Sequence, residues 1–210
     1  MKDGKNDSLK YRVFNVVFWV GIFMSFSASV INYFLGLGTL LILLTSACGL
    51  ITVGLYIVFR RSRNYELVSL IVVIFLNFIF FPIMWLVSGG TYSSIPYYMI
   101  INAGIIALLL SGLQRKIIFL LFALVVGFLN FAEYKRPDLV IAYDTQLARY
   151  IDLTFGLLVC LFSVIVLISF LVDSYAKELE RSQKYQASLE EKNKEIEAKT
   201  KPWRGAMPSL

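Results

Sequence analysis

Residues 150–199 read YIDLTFGLLVCLFSVIVLISFLVDSYAKELERSQKYQASLEEKNKEIEAK. The first part, Tyr150 to Val172, is apolar and as long as a bilayer crossing, which takes about 20 residues at a rise of about 1.5 Å each. No proline follows before Lys199, so the spacing predicts one continuous helix of about 75 Å. Past the membrane the composition turns charged, with seven basic and six acidic side chains over 174–201. Glu180/Lys184, Glu190/Lys194 and Glu195/Lys199 stand in the favourable i,i+4 order. From Ile168 a seam continues through Val172, Tyr175, Leu179, Ser182, Gln186, Leu189, Asn193 and Ile196 in alternating steps of four and three. That is heptad spacing, with Asn193 where a polar residue fixes register. Ser182 and Gln186 weaken the seam, so a solvated single helix stands beside the parallel dimer stalk as a reading.

Working outward, five more apolar stretches precede this one, at approximately 13–35, 39–59, 66–87, 96–113 and 117–131. The last of these five is short unless its flanks extend it. Hydrophobic residues make up 58% of the 210 and charged residues 16%, against roughly 45–50% and about 25% in soluble domains. Lipid is therefore the expected solvent. Backbone groups in hydrocarbon must be satisfied internally, and the alternation a barrel needs is missing, so the segments are predicted as helices. The expected fold is an all-α membrane protein of six transmembrane helices, the last continuing into a cytoplasmic coiled coil.

Charge sets the expected orientation. Lys2, Lys5, Lys10 and Arg12 precede the first stretch, Arg60, Arg61 and Arg63 follow the second, and Arg115 and Lys116 follow the fourth. The intervening connections near Gly36–Gly38 and Ser88–Ile95 carry neither Lys nor Arg. Only the fifth connection departs from this, with Lys135, Arg136 and Arg149 offset by Glu133, Asp138, Asp144 and Asp152. Both termini are expected in the cytoplasm, and the net charge of +6 reads as a topology signal rather than a nucleic-acid footprint. The expected divisions are a cytoplasmic segment 1–12, a transmembrane domain 13–173, a cytoplasmic coiled-coil helix 174–200 and a tail 201–210. The tail, with Pro202, Trp203, Gly205 and Pro208, reads as an added scar or linker, which makes the chain a truncated piece of a longer protein.

Little in the chain points to covalent chemistry. It has no histidine, which excludes histidine-dependent triads, histidine metal ligands and a phospho-accepting histidine within it. Cys48 and Cys160 lie inside apolar runs and read as small core residues. Phosphate-binding loops, nucleophile elbows and metal-ligand spacings are missing, so no cofactor or metal is expected. Among the polar residues within the apolar runs, Asn32, Asn77, Asn102 and Asn130 stand out, with Asp152 near the start of the sixth; asparagines there mostly bond helix to helix.

The clearest local feature is Phe81-Pro82 followed by SGGTYSSIPYY over 88–98. Gly89 and Gly90 suit a helix stop and Pro96 the first turn of the next helix, while Pro82 is positioned to kink the third. Tyr92, Tyr97 and Tyr98 fit an interfacial aromatic belt. If the third and fifth connections converge, these tyrosines meet Arg149 and Asp152 at the mouth of a pocket for a small amphipathic ligand or lipid headgroup. The interfacial belt and the ligand pocket both stand as readings. For Arg149 and Asp152, a simple ion pair is the plainer alternative.

The run Phe81-Pro82, Ser88-Gly89-Gly90, Pro96, Leu109-Leu110, Gly112, then Ala148-Arg149-Tyr150-Ile151-Asp152 and Asp173-Ser174-Tyr175 resembles bacterial six-helix sensor modules. Such modules precede histidine kinases, hybrid ones included, and sometimes diguanylate or adenylate cyclases. The resemblance implies a signal-transducing domain in the bacterial inner membrane, homodimeric, answering an unidentified small-molecule or membrane stimulus. It further implies a missing C-terminal kinase or cyclase domain that holds the activity. A small transporter or channel is the competing class, and it predicts more intramembrane polar residues and broken helices than the chain carries.

Overall fold

Glycine marks where the chain turns. Gly36 and Gly38, Gly89 and Gly90, and Gly112 all have positive φ, and each group separates two helices. The computed structural model describes residues 9–62 and 64–204, and the chain reads there as six helices without a strand. They are α1 (Leu9–Phe34), α2 (Thr39–Ser62), α3 (Tyr65–Val87), α4 (Ile95–Leu109), α5 (Gly112–Lys135) and α6 (Gln146–Arg204). Five are long and apolar enough to cross a membrane, and α4 is a shorter apolar helix. The protein is thus all-α and, by the length and composition of these helices, a multi-pass membrane protein. Leu43, Leu50, Leu120, Leu124, Phe128 and Ile165 are more than half exposed, as expected when hydrocarbon replaces water around the bundle.

The described residues fall into two units, which meet between Ile168 and Ser169. Within the first, α1 and α2 form a hairpin. Phe14 and Phe59 are fully buried with ring centroids 4.3 Å apart, and Tyr65 of α3 joins Phe14 at 4.9 Å. Tyr65 also donates its hydroxyl to the Leu109 carbonyl at 2.8 Å, satisfying an acceptor that the end of α4 leaves free.

Helix α3 starts on the Asn64 side chain, which accepts from the Leu67 N–H. It passes through Pro82 by widening to a π turn over Leu76–Phe80, where the Phe81 N–H donates to the Leu76 carbonyl. Proline lacks the N–H that an α turn needs, and the extra residue absorbs the change of register. The predicted disturbance at Pro82 therefore takes the form of a π turn just before it.

Helix α4 ends at Leu109, where Leu110 turns extended and Gly112 takes a left-handed φ of 60°. Helix α5 reaches from Gly112 to Lys135, longer than the 117–131 run, because polar flanking residues continue its backbone hydrogen bonding.

In the second unit the chain is helical from Ser169 to Arg204. Helix persists past Lys201, where the sequence suggested a break, since a proline's φ near −65° is compatible with a helix at the cost of one hydrogen bond. Residues 205–210 of the expected tail, 1–8 of the expected N-terminal segment, and Arg63 lie outside the described residues. Val172, Tyr175, Leu179, Ser182, Gln186, Leu189, Asn193 and Ile196 are all exposed.

Candidate functional site

The α3–α4 turn and the α5–α6 connection meet, and two carboxylates hold them together. The first is Glu133, in the last turn of α5. Its Oε2 accepts from the Trp85 indole N–H at 2.7 Å, and its Oε1 accepts from the Thr91 hydroxyl at 2.5 Å. The Thr91 backbone N–H lies 3.2 and 3.1 Å from the two oxygens. Trp85 is almost completely buried, so its indole N–H needs a partner inside the protein. Gly90 makes room for this arrangement: a Cβ there would strike the Glu133 carboxylate, and its φ of 56° is itself unfavourable for other residues.

The second carboxylate is Asp152, in the second turn of α6 and 5% exposed. One oxygen, Oδ2, accepts from the Ser94 N–H at 3.0 Å and from the Tyr143 hydroxyl at 2.7 Å. Ser94 immediately precedes α4, whose first N–H groups have no partner within the helix. One turn further along α6, Gly156 faces Ser94 so closely that a Cβ would overlap its side chain. Tyr143 packs over Gly89, where a Cβ would fall 2.5 Å from the tyrosine ring. Burial, and then the neighbouring Asp152 charge, push the Tyr143 hydroxyl well above its ordinary range, which keeps it a hydrogen-bond donor. The Ile141 N–H donates to the Leu86 carbonyl at 2.8 Å, adding a backbone tie between the same segments.

Between these ties lies a cavity of about 350 Å³ whose wall includes Gly89, Tyr92, Glu133, Pro137, Tyr143 and Arg149. Arg149 stands over the Tyr92 ring at 5.3 Å and the Tyr150 ring at 5.4 Å, a cation–π arrangement. Its Nε is buried and has no hydrogen-bond partner among the described residues. Arg149 and Asp152 form no ion pair with each other among the described residues; aromatic faces hold the first, and Ser94 and Tyr143 hold the second. The Glu133 carboxylate accepts from three donors, and Glu133 and Arg149 both line the cavity. Such a cavity suits a small molecule with an apolar body and an acceptor group.

Of the five residues expected at a ligand site, Tyr92 and Arg149 line this cavity, and Asp152 supports it through Tyr143. Tyr98 lines a separate cavity inside the bundle, and Tyr97 lines neither. Of the turn residues, Gly89 and Gly90 form the left-handed corner, Pro96 stands in the first turn of α4, and Pro82 follows the π turn. Glu133, Trp85, Thr91, Ser94 and Tyr143 were not foreseen as site residues. An acid closing an apolar helix was the available signal for Glu133, but in sequence it counts merely as an offset to Lys135 and Arg136. Among the described residues no cluster of metal-ligating side chains occurs. No family model matches the chain, and no curated protein or solved structure matches it either.

Proposed function

We propose that this chain is the transmembrane sensory module of a bacterial receptor, with six crossings and both termini in the cytoplasm. A small stimulus enters the cavity walled by Tyr92, Tyr143 and Arg149 from the outer side. The output domain beyond the chain is a histidine kinase, or a cyclase of the same receptor class. The observation that carries this reading is that Asp152 bonds Ser94 and Tyr143 at the start of a helix that continues unbroken to Arg204. A ligand that displaces Tyr143 changes the support of that helix, and rotation, tilt or sliding of the helix passes the change inward.

Two further observations support the reading. The basic residues that disturb the charge pattern are engaged locally: Lys135 lies over the Phe131 and Tyr134 rings, Arg136 pairs with Asp138, and Arg149 stacks on tyrosines. The exposed heptad seam fits pairing with a second copy, since Leu179, Leu189 and Ile196 are all more than half exposed.

The test joins residues 1–199 in heptad phase to the catalytic core of a sensor kinase and inserts one to four residues at Ser174. Autophosphorylation is expected to rise and fall with heptad phase. Indifference to the insertions would sink the reading.

A further inference from the structure

The cavity beside the α5–α6 connection has a cation on its wall that the protein leaves without an anion. This is Arg149, the fourth residue of α6. Three carboxylates stand near it in sequence or on the same wall, and none takes it. Glu133 uses its two oxygens on the Trp85 indole, the Thr91 hydroxyl and the Thr91 N–H. Asp152 accepts from Ser94 and Tyr143, and Asp138 pairs with Arg136. The Arg149 guanidinium makes no hydrogen bond or ion pair among the described residues. What holds it is the Tyr92 ring at 5.3 Å and the Tyr150 ring at 5.4 Å.

Stacking fixes the guanidinium fork without using its N–H groups. Nε is closed off, so contact with a ligand falls to the two terminal amino groups, Nη1 and Nη2, which are open. A guanidinium held over two rings has given up rotamer freedom before a ligand arrives, which favours binding. The start of α6 adds to the field. Thr145 and Gln146 line the same cavity, and a helix N-terminus carries about half a positive charge. Glu133 is the one acid among the described residues of the wall, and three donors already answer it. The unanswered charge is positive.

The rest of the wall is largely apolar or aromatic, with Tyr92, Pro137, Val140, Ala142 and Tyr143. Its volume of about 350 Å³ is more than twice that of an apolar cavity that holds a benzene ring, roughly 150 Å³. A body of two fused rings with one short acidic arm has space there, and tyrosine faces suit aromatic contacts. One guanidinium offers two parallel N–H bonds, which match the two oxygens of a carboxylate. A phosphate dianion would leave a charge unpaired beside Glu133. We propose that this cavity binds a small aromatic monocarboxylate, whose carboxylate accepts from Arg149 Nη1 and Nη2 while its ring packs against Pro137, Val140 and Tyr143. This names the ligand class of the stimulus cavity and rests on that reading of it.

The test is calorimetric titration of the chain in phosphatidylcholine nanodiscs, with empty discs subtracted, using indole-3-acetate, indole-3-acetamide and tryptamine. The carboxylate should bind at least about tenfold more tightly than the amide, the ratio that one charge-assisted pair supports, and the amine should not bind. Arg149→Gln should weaken indole-3-acetate at least about tenfold. Lys135→Gln removes a cation that lies over Phe131 and Tyr134, off the wall, and should change the affinity less than about twofold. Ala142→Trp, which fills the cavity, should abolish binding. Equal affinity for the acetate and the amide would overturn the proposal, as would no binding of indole-3-acetate below about 1 mM. Native mass spectrometry from discs containing phosphatidylglycerol addresses a lipid source: a lipid retained by the unaltered chain and lost in Arg149→Gln would assign Arg149 to a headgroup and overturn the proposal. If Arg149→Gln does not fold, the three indoles on the unaltered chain decide the matter. A chain that binds the carboxylate, joined to a kinase that ignores it, would uphold this site and count against the signalling reading.

Discussion

The Tyr143 hydroxyl donates to Asp152 Oδ2 at 2.7 Å, and the same oxygen accepts the Ser94 N–H at the start of α4. One carboxylate thus joins the α5–α6 connection, the N-terminus of α4 and the beginning of α6. Asp152→Ala should destabilise the bundle by about 2–4 kcal/mol, because it strands a hydroxyl and a backbone N–H that are cut off from water. Tyr143→Phe should cost about 1 kcal/mol. Thermal unfolding of the two variants and of their double mutant checks this: the coupling should be at least about 0.5 kcal/mol, and additive losses would contradict it.

Glu133 and Gly90 should fail together. Glu133→Ala removes the acceptor for Trp85 and Thr91, and Gly90→Ala both strains a left-handed residue and displaces that acceptor. Each is expected to cost about 2–3 kcal/mol, and Glu133→Gln less, since it keeps one oxygen. With Trp19 and Trp203 replaced by Phe, the emission of Trp85 reports this environment. It should shift in Glu133→Ala and Gly90→Ala, and stay near that of the unaltered chain in Glu133→Gln.

Ionisation of Tyr143 is opposed by burial and then by the Asp152 charge. The folded protein therefore holds this proton where the unfolded chain, titrating near pH 10, releases it. The associated stability is fully present below about pH 10 and is lost as pH rises above that value. Tyrosinate absorbance should show it: the difference between the unaltered chain and Tyr143→Phe should stay flat through pH 10 while the chain remains folded. A one-tyrosine step near pH 10 would contradict the assignment.

Along the second unit, the fully exposed Glu180 is held below its ordinary carboxylate range by the Lys184 hydrogen bond and charge. Its small helix-stabilising effect is present above that range and fades as pH falls through it. The seam makes a sharper prediction. Leu189→Cys, on the seam, should form a disulfide-linked dimer under mild oxidation, and Lys192→Cys, off it, should not. Cys48 and Cys160 are buried and should not interfere. Equal cross-linking at both positions would argue against a heptad interface.

Helix type and number were legible because hydrocarbon leaves the backbone one economical solution and because glycine and proline mark the turns. The Gly89–Gly90 corner and the continuous run from Tyr150 were readable for the same reason. Partner choice was harder to read. Arg149 and Asp152 stand three residues apart and suggest an ion pair, yet Asp152 accepts from the buried Ser94 N–H at the start of α4, and Arg149 lies over the Tyr92 and Tyr150 rings. Glu133 lies 42 residues from Thr91 and 48 from Trp85, a separation at which sequence carries no register. Gly156 gave no sign of its role either, since only the closeness of Ser94 explains it.

The central claim of the proposed function is that support at the Asp152 end of α6 governs the state of the seam at its other end. It is tested most directly by electron–electron double resonance between spin labels at Leu189→Cys in paired copies, with and without Asp152→Ala, in nanodiscs. The account predicts a defined inter-label distance in the parent and a shifted or broadened one once Asp152 is lost, with the dimer intact. An unchanged distance distribution in a folded, dimeric Asp152→Ala variant would contradict it.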